Sequence, residues 1–311
     1  MSFDFKKPNL RIANAGKKTI ILPAVIMAIG IIMFFVFIGQ GGFNLGLDFT
    51  GGSIIKVEIE TTQNNIDDVR NIVSDFTKCD VQKEESSSGG KYITVKFAET
   101  NEDKVGDIIT ALKTAYGETN VSESDSISGS TSAEKVQSII WAVLAALAGI
   151  MLYMLFRFKF TSGMAALIAL MHDVLIMIAM VVIFRVQINS PFIAAVITIV
   201  GYSINNTLVL MDRIREYENN NNDAKTLSEI VDKSINDTFG RTMIMTATTL
   251  VPVVVLGTVA IIMNLTSLTE FALPIIFGLI AGTYSSLFLV APMYNRFESA
   301  RLRKLKRHNI N

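Results

Sequence analysis

The stretch Gly201-Tyr-Ser-Ile-Asn-Asn-Thr-Leu-Val-Leu-Met-Asp-Arg-Ile-Arg-Glu216 places polar side chains inside an otherwise apolar run that begins near Pro191. In hydrocarbon, an amide without a hydrogen-bond partner is costly, so a helix here must turn its polar side toward other helices or a hydrated cavity. Tyr202, Asn206 and Arg213 share one helical face, since they are four and seven residues apart. The spacing leaves two interpretations open, helix packing through hydrogen bonds and an ion or proton path.

Composition predicts the class of protein around this stretch. Half of the residues are apolar, the mean hydropathy is +0.43, and 28 basic residues balance 28 acidic ones. Six runs are long enough to cross a hydrocarbon core of roughly 30 Å. They are Thr19 to Ile38, Val136 to Phe156, Ser162 to Phe184, Pro191 to Met211, Met243 to Met263 and Leu268 to Met293. The sequence therefore predicts a polytopic α-helical membrane protein with six transmembrane helices.

The distribution of Lys and Arg predicts the orientation of these helices. Basic residues near span ends are retained on the cytoplasmic side, and here they cluster in both tails and in two of the short loops, which places both termini in the cytoplasm. The predicted organisation is a cytoplasmic tail over 1–18, the first helix over 19–38, an exported domain over 39–135, helices two to six over 136–293 and a second tail over 294–311. A cleaved signal peptide is the alternative for the first run, but that run is long and leads directly into a structured segment.

The exported segment alternates between strand and helix patterns. Ser53 to Glu60 has the period of a half-buried strand, and Asn65 to Lys78 has the period of an amphipathic helix. Two further strands flank the turn Ser86 to Gly90, and a second helix follows Thr100 before a last strand near Asn120 to Ser128. The order strand, helix, strand, strand, helix, strand predicts an α+β, ferredoxin-like domain. So common a fold indicates no function by itself.

No catalytic constellation, metal-ligand spacing or phosphate-binding glycine loop is present in the sequence. The pair Gly51-Gly52 leads into a strand rather than a helix, which excludes a dinucleotide site there. The sequence therefore predicts a protein that is not an enzyme and uses no cofactor and no metal. Any work it does must draw on an ion gradient or on a partner.

Few ionisable groups lie within the spans. His172 and Asp173 fall near the middle of the third span, where a charged side chain costs from about 2.5 kcal/mol upward and indicates a functional site. A structural hydrogen-bonded pair is the alternative. Arg241 marks the start of the fifth span, either inside the bundle or as a cytoplasmic anchor, and Asp212 lies at the cytoplasmic end of the fourth.

Two further patterns concern the shape of the bundle. Gly278-x-x-x-Gly282 gives the sixth span a small face for close helix packing. The segment from Ala224 to Phe239 has the pattern of an amphipathic helix lying at the cytoplasmic surface.

Several motifs, taken in order, resemble the SecD and SecF subunits of the bacterial protein-export machinery, which belong to the resistance-nodulation-division superfamily. They are Gly46-Leu-Asp-Phe-Thr-Gly-Gly52, the fourth-span stretch, Ser234-Ile-Asn-Asp-Thr-Phe-Gly-Arg-Thr242 and Gly282-Thr-Tyr-Ser-Ser286. The resemblance implies a SecF-like subunit in the cytoplasmic membrane that helps to export proteins at the expense of a proton gradient. The implied partners are a SecD-like subunit, the SecY-E-G channel, YajC and YidC as further accessory proteins, exported unfolded polypeptide and membrane lipid, with no nucleic acid.

The sequence predicts a hinge and a candidate ion path, and within that path the resemblance concerns Asn206 and Arg241. The first motif, with Gly46, Asp48 and Phe49, leads into Thr50, Gly51 and Gly52, which are predicted to form a hinge because a glycine pair adopts backbone angles closed to other residues. The candidate ion path comprises Asn206, Arg241, Asp173, His172, Tyr202 and Asp212.

One departure from the family pattern affects this path. Asn206 stands where the family has an aspartate proposed to carry protons, and an amide takes up no proton near neutral pH. We therefore expect Asn206 and Arg241 to keep a hydrated passage open, while Asp173 or an acid of the partner carries the proton. Half of a lipid or small-molecule exporter and a membrane scaffold remain as alternative functions.

Overall fold

The structure is a computed structural model that describes residues 9–15, 18–40, 43–59, 63–77, 79–85, 91–97, 102–127, 129–220, 226–263 and 265–308. Within these ranges the helices are α1 Lys18–Val36, α2 Leu47–Thr50, α3 Gln63–Ser74, α4 Glu102–Tyr116, α5 Gly129–Arg157, α6 Phe160–Ile183, α7 Ser190–Asn219, α8 Leu227–Ile262, α9 Thr266–Phe288 and α10 Val290–His308. The strands are β1 Gly52–Val57, β2 Cys79–Glu85, β3 Lys91–Phe97 and β4 Val121–Ile127. The turn Ser86 to Gly90 lies outside the described residues.

The described residues contain six candidate membrane spans, which agrees with the number predicted from hydropathy. They are α1, the part Val136–Met154 of α5, α6, α7, α8, and the joined stretch Thr266–Arg307 that covers α9 and α10. α9 is the central helix and packs against α6, α7 and α8. The predicted small face of α9 is confirmed, because a Cβ atom on Gly278 would come within 2.5 Å of the Ile199 side chain, and one on Gly282 within 3.3 Å of Ser203.

α8 differs from the sequence-based expectation. The helix predicted over Ala224 to Phe239 is present from Leu227 onward, but it continues into the fifth span, because α8 runs without a break for 36 residues, or about 54 Å at 1.5 Å per residue. A capping box between Thr226 and Glu229 fixes its first turn. The sequence offers no proline or glycine pair near Phe239 that would stop the helix, so it continues into the span.

The segment between α1 and α5 forms one small sheet. Its strand order is β2-β3-β1-β4, and all three pairings are antiparallel. α3 and α4 pack on it in one hydrophobic cluster that includes the fully buried Ile55, Val57, Ile93 and Val95. The observed order of strands and helices is the one that the alternating pattern predicts.

Candidate functional site

Asp173 is the centre of a hydrogen-bonded cluster inside the bundle. Its side chain is 1% exposed and lies on α6, close to α7 and α9. Ser203 Oγ on α7 donates to Asp173 Oδ2 at 2.5 Å, and Ser285 Oγ on α9 donates to the same atom at 2.8 Å. Three helices that are distant in sequence therefore meet at one carboxyl group.

His172 is the other polar partner of this carboxyl group. Its Nδ1 atom lies 2.9 Å from Asp173 Oδ1, and its Nε2 atom is buried without a hydrogen-bond partner among the described residues. The imidazole also borders a cavity of about 130 Å³ between α1, α6 and α9, whose other lining residues include Pro23 and Phe277. Within the described chain no Lys or Arg side chain forms an ion pair with Asp173. The carboxyl group is thus held by hydroxyls and an imidazole, without a permanent positive charge.

A second chain of hydroxyl groups links α7, α8 and α9. Tyr202 Oη and Thr246 Oγ1 are 2.6 Å apart, and Thr246 Oγ1 and Thr283 Oγ1 are 2.8 Å apart. Each hydroxyl can donate or accept a hydrogen bond, but Thr246 Oγ1 and Thr283 Oγ1 also lie 2.8 Å and 2.7 Å from the backbone oxygens of Thr242 and Leu279, which compete for their protons.

Asn206 lies one helical turn below Ser203 on α7 and is 2% exposed. Neither atom of its amide has a hydrogen-bond partner among the described residues, and the buried Thr207 hydroxyl has none either. An unsatisfied buried polar group costs about 1–3 kcal/mol. The side chains of Asn206 and Thr207 therefore lack hydrogen-bond partners within the described chain, whereas Tyr202 and Ser203 on the preceding turn have them.

The charged residues predicted near the cytoplasmic end lie outside this core. Arg241 is exposed, although α8 begins at Leu227, well before it. Asp212 is also exposed and forms an ion pair with Arg157 at 3.1 Å. Arg213 pairs with Asp237 of α8 at 3.2 Å. The structure therefore places His172 next to Asp173 in the bundle and buries Asn206 on α7, three residues after Ser203. Arg241 and Asp212 lie at the surface.

The motif after α1 is hydrogen-bonded to the residues that lead into α7. We call this connection, formed by residues 44–48 and residues 185–190, the strap. Gly46 N donates to Ile188 O at 2.7 Å, and Ile188 N donates to Asn44 O at 2.7 Å. Asp48 Oδ2 accepts hydrogen bonds from Ser190 N at 3.0 Å and from Ser190 Oγ at 2.6 Å. A carboxylate at a helix N-terminus is electrostatically favourable, so Asp48 stabilises the first turn of α7.

Two glycines lie shortly after the strap, at the end of α2. Gly51 has a φ of 75° and Gly52 a φ of 146°. Residues with a side chain rarely adopt these angles, so both positions require glycine. Thr50 and Phe49 belong to the short helix α2 that leads into the pair.

Next to the strap, Asn189 connects α7 to α9. It caps α7 by accepting from Phe192 N, and its amide donates to the buried carboxylate of Glu270. Glu270 belongs to the span predicted over Leu268 to Met293, and no pattern in the sequence indicates this contact.

The sequence analysis also missed both serine partners of Asp173. Ser203 and Ser285 lie within motifs that it quoted, yet a hydroxyl can satisfy itself on its own helix, as Ser285 also does with Gly282 O at 3.2 Å. Gly282 provided a signal, because a missing Cβ in a packed helix marks a place where another helix comes close. A Cβ there would lie 3.6 Å from Asp173 Oδ2.

Comparison with known proteins gives matches along most of the chain. A family model for the C-terminal part of the protein export membrane proteins SecD/SecF matches residues 107–300, and a model for the SecD/SecF GG motif matches residues 36–63. The protein translocase subunit SecF of Sebaldella termitidis is 30% identical over 255 residues, covering 81% of this chain and 81% of that protein. The SecF subunit of Helicobacter pylori is 32% identical over 287 residues, with 90% and 84% covered.

Solved structures show the same likeness. The crystal structure of SecDF, a translocon-associated membrane protein from Thermus thermophilus, is 28% identical with a TM-score of 0.72, covering 94% of this chain and 39% of that one. A crystal structure of SecDF in a super-membrane-facing form is 26% identical with a TM-score of 0.65, covering 97% and 40%. The chain therefore spans well under half of the length of these two structures. The two family models together cover the strap motif, the Asp173 cluster and Asn206.

Proposed function

The chain belongs to the SecD/SecF family of protein-export membrane proteins, and from this premise we propose that it is a SecF-type accessory subunit of the Sec translocase. With a SecD-like partner it uses a proton gradient to assist the export of unfolded polypeptide through the SecY-E-G channel, and YajC and YidC join it as accessory proteins. It acts by changing conformation and is not an enzyme. The observation that supports this most directly is the carboxyl group of Asp173, which is buried among α6, α7 and α9 with no Lys or Arg side chain paired to it in the described chain.

The chemistry of the Asp173 cluster suits reversible protonation. A charged carboxylate in the middle of a bilayer costs from about 2.5 kcal/mol upward, so binding a proton relieves a real penalty. Two serine hydroxyls donate to the ionised form, and His172 donates a third hydrogen bond in the tautomer that carries its proton on Nδ1. On protonation, Ser285 can turn its hydroxyl to Gly282 O, which lies within 3.2 Å, so the hydroxyl keeps a partner. Asp173 is therefore our choice for the group that this chain contributes to proton transfer.

We assign both termini to the cytoplasmic side of a bacterial inner membrane and the four-stranded unit to the outside. The six Lys and Arg residues of α10, which contains one acid, support this orientation under the positive-inside rule. The strand order and the antiparallel pairing of the unit are those of a split βαβ, ferredoxin-like domain.

The strap and the glycine pair together suit a mechanical connection. Asp48 and Gly46 hold the chain on the start of α7, which is the helix that contains Ser203 and Asn206. We place the hinge after the strap, at Gly51 and Gly52, because only glycine adopts their φ values readily and Gly52 is the first residue of β1. A displacement of α7 that follows protonation would be passed through the strap to the exported domain.

Replacing Gly51 and Gly52 together by Val is expected to impair export at an unchanged protein level, because valine at the observed φ values is strained by about 1–3 kcal/mol per residue. Asp48→Ala, which removes both bonds to Ser190, is expected to give the same defect. Asp67→Ala is the matched control, because Asp67 is an exposed acid that pairs with Arg70 on the surface of α3. The measurement is the secretion rate of a reporter protein in cells that depend on this subunit. Normal secretion with either the Gly51/Gly52 double variant or Asp48→Ala would count against mechanical coupling through this connection.

The proposed function is tested by isolating the tagged chain from its native membrane and identifying what accompanies it. Recovery of a SecD-like subunit together with SecY, and accumulation of unexported precursor when the chain is depleted, are the expected results. Recovery of another transporter half without SecY, and normal precursor export on depletion, would instead indicate a lipid or small-molecule exporter.

A further inference from the structure

The helix α10 has a strongly basic surface at the proposed cytoplasmic face. It contains six Lys and Arg residues and one acid, Glu298. That acid is buried, accepts a hydrogen bond from Thr161 Oγ1 at 2.6 Å, and lies 3.3 Å from Arg301 and 3.7 Å from Lys159. Its charge is therefore balanced locally, and the rest of the helix presents positive charge.

A groove lies between this helix and the beginning of α6. It has a volume of about 470 Å³, and its lining includes Phe160, Met164, Phe297, Arg301, Lys304 and Leu305. The interior is apolar, with the two basic side chains among its lining residues. Phe160 is 66% exposed and Leu305 is 50% exposed, so large apolar surfaces remain open beside the groove.

The position of the groove places it at the level of lipid headgroups. α6 contains 24 residues from Phe160 to Ile183, which corresponds to about 36 Å, a little more than the roughly 30 Å of hydrocarbon. Its first residue, Phe160, therefore lies at the boundary between acyl chains and headgroups. A ligand that fits here has an apolar tail next to an anionic group.

We propose that this groove binds an anionic phospholipid. An acyl chain packs on Phe160, Met164 and Phe297, while the phosphate is bound by Lys304 together with Arg301. Basic side chains next to a membrane helix attract anionic headgroups, and an amphipathic helix adds the burial of apolar surface. Arg301 keeps its contact with Glu298, and Lys304 supplies the second positive charge. The inference rests on the geometry of α6 and α10 and on their proposed membrane orientation, and it does not depend on the export activity.

The test uses the full-length protein in detergent with phosphatidylglycerol that has a photoreactive group on one acyl chain. Labelled peptides are identified by mass spectrometry. Labelling is expected at α10 and the start of α6, with roughly fivefold less in Lys304→Gln, the loss that corresponds to one basic contact. Ala300→Trp, which fills the exposed edge of the groove, is expected to lower labelling to a similar extent.

Lys306→Gln is the matched control, because it removes the same charge from the same helix at a position that does not line the groove. Excess phosphatidylglycerol is expected to compete, whereas phosphatidylcholine and inorganic phosphate are not. Equal loss of labelling in Lys304→Gln and Lys306→Gln would mean diffuse electrostatic attraction and would overturn the site. Competition by phosphatidylcholine would show an apolar groove without headgroup recognition, and competition by inorganic phosphate would show a simple anion site. The midpoint of thermal unfolding, measured for each variant, verifies that the fold is intact.

Discussion

Proton-gradient-dependent export is expected to fall to the level of cells without the protein when Asp173 is replaced by Asn. The side-chain oxygen of asparagine can still accept from Ser203 and Ser285, so the three helices remain connected. The one property that is lost is the ability to bind and release a proton. The measurement is translocation of a secretory precursor into membrane vesicles with an imposed proton gradient.

Asp212→Asn is the matched control for this experiment. Asp212 undergoes the same chemical change, but it is exposed and paired with Arg157 at the surface, where an ion pair contributes about 0–1 kcal/mol. Export with this variant is expected to match that of the unaltered protein. Normal export with Asp173→Asn, measured next to a functional control, would assign the proton to an acid of the SecD-like partner instead.

Export is also expected to fall strongly in Asn206→Leu, while the midpoint of thermal unfolding stays the same or rises. The amide has no hydrogen-bond partner within the described chain, so its removal takes away a burial cost of about 1–3 kcal/mol per group and breaks no bond. We expect the amide of Asn206 to bind water, or a group of the partner, in another conformation. If Asn206→Leu is stable but inactive, Asn206 acts in the ion path and not in helix packing.

Asn205→Leu is the control for this second variant. Asn205 is the adjacent residue of α7 and is exposed on the outer face of the helix, so the same substitution there leaves the interior untouched. Asn206→Asp, which keeps the shape and the hydrogen-bonding capacity of the side chain, is expected to be tolerated. If Asn206→Leu exports normally under a proton gradient, the passage does not run along α7.

The two predictions concern the same helix. α7 presents Ser203 to the carboxyl group of Asp173, buries Asn206 one turn further, and begins at Ser190, where Asp48 fastens the strap. Under the proposed function, a displacement of α7 that follows proton binding at Asp173 would reach Ser190 and, through the strap, the four-stranded unit.

Arg241 shows where a local pattern fails. The sequence was compatible with Arg241 either inside the bundle or at the surface. A helix that begins at Leu227, well before Arg241, is compatible with both positions as well. The direction in which a side chain points depends on the rotation of α8 about its axis. That rotation is set by contacts with α9, including Gly257 against Ala272, and these contacts are remote in sequence.

The sequence by itself determined the features that depend on neighbouring residues. Hydropathy along the chain predicted six spans, because crossing hydrocarbon requires about 20 apolar residues in a row. Residue alternation predicted the order of strands and helices in the small sheet, since each element must bury one face. The glycine pair at Gly51 and Gly52 indicated an unusual backbone, because only a missing side chain permits it.

Tertiary structure alone decided which groups meet. Asp173 contacts Ser203, 30 residues away, and Ser285, 112 residues away, and Asp48 contacts Ser190 across 142 residues. No period in the chain encodes such pairs, because each depends on the rotation and depth of helices that pack through small residues such as Gly278 and Gly282. A polar residue in a predicted span indicates that a hydrogen-bond partner is needed. Only the packing of the helices determines that Asp173 has such partners and that Asn206 has none within the described chain.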